Sequence, residues 1–142
     1  MFEPSSAMCD IIKVKMEKHN VFKYEIVNKA VWSKDDVLSF SNDINATVAT
    51  DSCVAECGKY SVETTSIDNI LDGKPVTFIK MDVEGSELMA LEGAKDTIRR
   101  YRPRLAISIY HKLTDIYEIP NYLLELVPDY KFYILHYSSD VY

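Results

Sequence analysis

Four carboxylates crowd one short stretch, FIKMDVEGSELMALEGA, from Phe78 to Ala94: Asp82, Glu84, Glu87 and Glu92. Such groups can hold a hydroxyl by hydrogen bonds, take its proton, or face a cation. Asp82 and Glu84 are two apart, so in extended backbone both side chains point to the same side. Like charges held close raise each other's pKa and need a compensating partner. A helix start accounts for Glu87 and Glu92, because acidic residues favour a first turn, with Gly85 making the bend and Ser86 the cap. It does not account for Asp82, since Asp is depleted in strands. Glu84 fits either account. His111 in SIYHK has a near-neutral reference pKa and could be a base, a substrate contact, or a polar residue where a strand leaves its sheet. His136 in ILHYSS carries the same ambiguity, and His19 reads as a helix C-terminal cation.

These residues need elements to hold them. Ser5 to His19 is predicted as a helix capped by Ser5 or Ser6, with Met8, Ile11, Ile12 and Met16 as its apolar stripe. Val21–Trp32 and Val37–Ser41 read as strands, Asn42 to Gly58 as a polar loop, and Lys59–Ile67 as a strand pairing with Val37–Ser41. A short helical turn over SIDNILDG stops at Gly73. Val76–Asp82 is a strand, and Ser86–Arg100 a helix presenting Leu88, Leu91, Ala94 and Ile98 on one face. Arg104–Tyr110 is a strand whose apolar centre predicts burial on both faces. Asn121–Val127 is a helix with Pro120 in its first turn, and Tyr130–Ser139 a closing strand.

Strands alternating with helices argue an α/β domain with a parallel or mostly parallel sheet. Ligands of such sheets bind beyond the carboxyl ends of the strands. That rule places Asp82, His111 and Glu3 (just past the strand that "MF" would finish) at a binding rim.

At 142 residues the chain is expected to be one domain, 1–142, with 47% hydrophobic and 27% charged residues. A net charge of −6 and an isoelectric point of about 5.0 argue against a nucleic-acid partner. The basic run RRYRPR, Arg99 to Arg104, reads as cations at a helix C-terminus. With neither a membrane-span-length apolar run nor a signal-like opening, a cytoplasmic protein without a membrane partner is expected. Cys9, Cys53 and Cys57 include no CxxC and read as reduced structural thiols, and no metal ligand set is assigned. The acceptor motif at Asn45 reads as chance without a secretory signal. GxGxxG, GxxxxGK[ST], GxSxG and HExxH are all missing.

The blocks FEP, VNKAV, TTSIDNIL, FIKMDVEGSELMALEGAKDTIRRYRPRLAISIYHK and YKFYILHYSS resemble, in order and spacing, the FkbM family of S-adenosylmethionine-dependent methyltransferases. The resemblance covers nearly the whole chain, and its central block is specific. It implies a Rossmann-like class I methyltransferase sheet with helices on both faces and O-methylation of a small-molecule or glycan hydroxyl. It makes Asp82, Glu84 and His111 the catalytic candidates. Glu3 would accept hydrogen bonds from the cofactor's two ribose hydroxyls, and Ala30 and Val31 would flank the adenine. Asp82, with Glu84 beside it, would sit where methyl donor meets acceptor; His111, with His136, would line the acceptor pocket. Negative charge there would face a cationic sulfonium.

Against that family pattern, Met1 falls after the strand and glycine-rich loop that hold the cofactor's methionine end, and the sheet's last strand would follow Tyr142. The expectation is weak or no binding of S-adenosylmethionine by this chain alone, with self-association through the exposed sheet edge. Two other readings stand beside it. One is a metal-dependent nucleotide-sugar transferase using the D-x-E of Asp82 and Glu84. The other is a non-catalytic member, or a partial reading frame, acting at most as a binding module.

Overall fold

The computed structural model describes residues 1–40 and 60–135. The loop 42–58, with Asn45, Cys53 and Cys57, and the segment holding His136 lie outside the described residues. In chain order the elements are α1 (Ser6–Lys18), β1 (Ala30–Val31), β2 (Asp36–Phe40), β3 (Tyr60–Thr65), α2 (Ile67–Leu71), β4 (Phe78–Met81), α3 (Glu87–Glu92), α4 (Lys95–Tyr101), β5 (Arg104–Ile107) and α5 (Asp115–Leu126). The fold is mixed α/β. Its described strands form two small sheets, ordered β1-β3-β2 and β4-β5. β4 and β5 run parallel in the register Phe78↔Arg104 to Met81↔Ile107. β2 pairs with β3, as the sequence predicts; the pairing is antiparallel, and β1 lies parallel on β3's other edge. Phe2 adds an isolated parallel bridge to Val27.

Several expected elements are shorter or broken. The strand expected over Val21–Trp32 is reduced to Ala30–Val31 and the Val27 bridge. Its β-branched and aromatic residues include Phe22, which is 75% exposed, so high strand propensity there has no pleated surface to bury against. The helix over Ser86–Arg100 splits at Gly93–Ala94 into α3 and α4. α5 begins six residues before Asn121, so Pro120 lies inside it rather than in its first turn. β5 ends at Ile107, and its residues alternate between exposed and half-buried, so the expected burial on both faces is not found. Residues 131–135 are exposed and lie in no strand, against the closing strand expected from Tyr130. The capping prediction for α1 holds, with Ser5 Oγ accepting the Met8 N–H at 3.2 Å. Its apolar stripe holds in part: Ile12 and Met16 are half-buried, Met8 and Ile11 are exposed, and Cys9 is the buried residue of α1. Burial raises the Cys9 thiol above its ordinary value, with the Glu3 carboxylate adding to the effect. Arg99 and Arg100 occupy the last turn of α4, where cations suit the helix dipole.

The core lies where β4 meets the helices. Ile79 and Met81 on one face of β4 pack with Ala90, Leu91, Ala94 and Ile98 of α3 and α4, and with Ile119 and Leu123 of α5. Leu91, Ala94 and Ile98, assigned to one face from the sequence, are all fully buried. Two local devices fix this layer. α4 lacks a side-chain cap of its own, and Asp68 of α2 supplies one by accepting the N–H groups of Asp96 and Thr97 at 3.0 and 2.8 Å. Gly93 has an ordinary φ of −72°, so its backbone would suit any residue. What it lacks is space. A Cβ there would collide with the Trp32 carbonyl oxygen and sit 3.0 Å from both Ser33 Cα and Ser66 Cβ. Since the Gly93 carbonyl also accepts the Asp68 N–H at 2.9 Å, this one glycine ties the ends of β1 and β3 to the helical layer.

Gly93→Ala should therefore destabilise the fold by about 1–3 kcal/mol, the usual range for overpacking, read as a lower urea midpoint at unchanged m-value. An unchanged midpoint would show that the backbone of Trp32 and Ser33 is not held there.

Candidate active site

The parallel pairing of β4 and β5 sends both chains out of the sheet at the same end, and Ser108 continues the ladder by donating its N–H to the Met81 carbonyl at 3.0 Å. Asp82 follows β4 directly. The backbone then turns through two left-handed residues, Glu84 at φ 52° and Gly85 at φ 86°. Glycine takes that conformation freely, whereas glutamate does so at a cost of about 1–2 kcal/mol. The turn returns the chain over the strand end, so that α3 starts with Glu87 above it.

Three carboxylates meet one imidazole as a result. His111 Nε2 lies 3.1 Å from Glu84 Oε2 and 3.9 Å from Asp82 Oδ1, and His111 Nδ1 lies 3.0 Å from Glu87 Oε1. The His111 side chain is 12% exposed and that of Glu87 only 1%, whereas Asp82 and Glu84 reach solvent at 36% and 47%. Glu87 Oε1 also accepts the Val83 N–H at 3.0 Å, which closes the turn. Tyr110 Oη donates to Asp82 Oδ1 at 2.9 Å, and Lys80 Nζ stands 3.9 Å from Asp82 Oδ2. The Asp82 hydrogen bond, with some desolvation and the surrounding carboxylates, raises the Tyr110 phenol above its ordinary value, so it stays a donor here. Although the distances between His111 and its carboxylates are short, neither ring nitrogen makes an aligned hydrogen bond among the described residues, and Glu87 Oε2 has no partner there either. The arrangement can orient a hydroxyl, accept its proton, or hold a cation.

Asp82, Glu84 and His111, singled out from the sequence, come together as expected, although a left-handed turn and not extended backbone brings the first two to one side. Ser86 makes no side-chain cap, contrary to the reading of the DVEGS turn. Glu87 is the residue that sequence reasoning misplaced. It looked like a solvated first-turn acid, yet it is the most buried member of the cluster. The signal lay in its spacing, since a helix entered straight from a tight turn sets its first side chain back over the strand it left. Tyr110, beside His111, was also missed.

Glu3 belongs to a separate set of contacts. Its Oε1 accepts the Ser5 N–H at 2.8 Å, and its carbonyl accepts from Asn28 Nδ2 at 2.9 Å and from Cys9 Sγ at 3.4 Å. Ala30 and Val31 are half-buried in β1, opposite Thr64 and Thr65. None of these contacts reaches the His111 cluster.

Fold and site together define a mixed α/β protein with an acid–imidazole cluster at the carboxyl ends of a parallel strand pair. The profile of the methyltransferase FkbM domain matches residues 9–132, and the chain belongs to that family. It is similar to the crystal structure of methyltransferase FkbM from Methylobacillus flagellatus KT, with a TM-score of 0.69 and 30% sequence identity, over 92% of this chain and 31% of that one. The chain thus spans about a third of that protein's length. No protein of curated function matches it.

Truncating Glu87 to alanine should cost about 1–3 kcal/mol, because the part-buried Val83 N–H then loses its carboxylate acceptor and a buried side chain is removed. Glu92→Ala, at an exposed position of the same helix, should stay within about 0.5 kcal/mol of the parent. Chemical denaturation of both variants checks this, and equal effects would contradict the burial assigned to Glu87.

Proposed function

We propose that this chain carries the site of an S-adenosylmethionine-dependent methyltransferase that methylates a hydroxyl oxygen of a small molecule or glycan. We further propose that β4 and β5 are neighbouring strands of a Rossmann-like methyltransferase sheet. The observation carrying this reading is the convergence of Asp82, Glu84, Glu87 and His111 at the carboxyl ends of β4 and β5, where open α/β sheets bind ligands. Family membership supports the reaction type, and it weighs against the nucleotide-sugar transferase alternative.

The residues present suit the cofactor. Glu3 is half-buried, and with one oxygen taken by the Ser5 N–H its carboxylate still has lone pairs for a vicinal diol. Ala30 and Val31 offer a small half-buried apolar edge for a base. The cluster's three carboxylates give a negative rim suited to a sulfonium cation. When bound, S-adenosylmethionine supplies an electrophilic methyl group. The chain's own residues have the remaining work. Asp82, held by Tyr110 and flanked by Lys80, presents a fixed acceptor at the rim. Lining up a hydroxyl there lowers the entropic part of the barrier, and the imidazole–carboxylate cluster is the nearest receiver for its proton. Glu87, which touches His111 and the Val83 N–H, acts by positioning.

Because binding by this chain alone is expected to be weak, the test is a titration of the 15N-labelled chain with S-adenosylhomocysteine carried to millimolar concentration. Amide shifts at Glu3, Ala30, Val31 and Asp82 should saturate together. Glu3→Ala should weaken the interaction at least about tenfold, since it removes hydrogen bonds to a charged acceptor worth about 1.5–3 kcal/mol each. Shifts confined to other residues, or no effect of Glu3→Ala, would overturn the reading.

A further inference from the structure

Glu87 poses a question that methyl transfer does not answer. Its carboxylate is 1% exposed, and Oε2 has no hydrogen-bond partner among the described residues. An uncompensated buried carboxylate is costly. Glu87 Oε1 is engaged by Val83 N–H and lies against His111 Nδ1, but that imidazole also has no aligned hydrogen bond at either nitrogen.

One carboxylate oxygen each from Asp82 and Glu87 and one nitrogen of His111 lie within 4.8 Å of one another. Metal bonds of about 2.0–2.2 Å place neighbouring donors of an octahedral ion about 3 Å apart and opposite ones about 4.2 Å apart. The Glu87 carboxylate comes within 3.0 Å of His111, the spacing of neighbouring donors, and its unpartnered Oε2 is the oxygen left free for an ion. Asp82, partly exposed and, among the described residues, held at hydrogen-bond distance by the Tyr110 hydroxyl alone, has room to close in.

We propose that Asp82, Glu87 and His111 are the protein ligands of a divalent first-row cation, with its remaining positions open to water or to the acceptor hydroxyl. Two hard carboxylates with one imidazole suit Mn2+ through Zn2+ better than Mg2+ or Ca2+, whose preferred donors are all oxygen. Glu84, 3.1 Å from His111 Nε2, stands beside the site and helps to orient the ring. A cation there deepens the methyl-transfer reading, because it would hold the acceptor oxygen and acidify its hydroxyl. Binding itself belongs to this chain's side chains alone. Loss of it leaves the cofactor reading intact, and failure of the cofactor titration leaves this one intact.

Mn2+ is the probe, because it binds thiols weakly and so avoids the cysteines. The full chain, first cleared of metal with a chelator, is titrated without cofactor, and free Mn2+ is followed by electron paramagnetic resonance. One Mn2+ per chain should bind saturably. Asp82→Asn and Glu87→Gln should each weaken it at least tenfold, with Glu92→Gln unchanged. Circular dichroism establishes that each variant is folded. Should Glu87→Gln not fold, the partly exposed Asp82 position decides the matter. Absence of saturable uptake, uptake unaffected by Asp82→Asn, or an equal loss in Glu92→Gln would overturn the site.

Discussion

Everything at the candidate site depends on keeping one carboxylate, Glu87, almost fully out of water. Burial of a charged group is tolerated where hydrogen bonds and opposite charge replace the lost hydration. Val83 N–H donates to Glu87 Oε1 from the turn that precedes the helix, and His111 Nδ1 packs against the same oxygen from the loop beyond the neighbouring strand, while Oε2 has no partner among the described residues. The contact therefore locks together the ends of β4 and β5. It also fixes the ring of His111, which is what makes Glu84 and Asp82 neighbours of one group rather than two solvated acids.

The frame behind this contact is built from small, local choices. Parallel register makes Asp82 and His111 leave the sheet on one side. The left-handed pair Glu84–Gly85 makes the turn tight enough to bring α3 back over the strand end. A glutamate in that conformation is a local cost located where the charges converge, the kind of outlier that accompanies function. Farther away, Gly93 allows Trp32 and Ser33 to approach the junction of α3 and α4, and Asp68 caps α4 across the helical layer. These contacts hold the helices that bury Leu91 and Ile98 against β4.

Much of this was readable in the chain. Asp in a strand-end position was out of place for structural reasons, and the periodic Leu91, Ala94 and Ile98 face gave the core side of the helical layer. The β2–β3 pairing and the Ser5 cap also followed from local chemistry. What failed was everything that local chemistry does not decide. Aromatic and β-branched residues between Val21 and Trp32 have strand propensity, yet propensity acts only where a partner surface exists. Gly93 breaks a helix that periodicity alone would continue, because the reason for the glycine lies in the backbone of Trp32, 61 positions away in sequence. Glu87 looked like a dipole-favoured acid, since its burial depends on a turn and on a histidine 24 residues later.

The central claim is that Glu87 and His111 touch and that both side chains are largely shielded from water. Long-range 1H–15N spectra of the histidine rings test it most directly, because they report each imidazole nitrogen separately. Glu87→Gln should shift the Nδ1 and Nε2 resonances of His111 and leave those of His19 in place, while Glu92→Gln should move neither. His111 resonances that ignore Glu87→Gln would separate the two residues and remove the basis of the site.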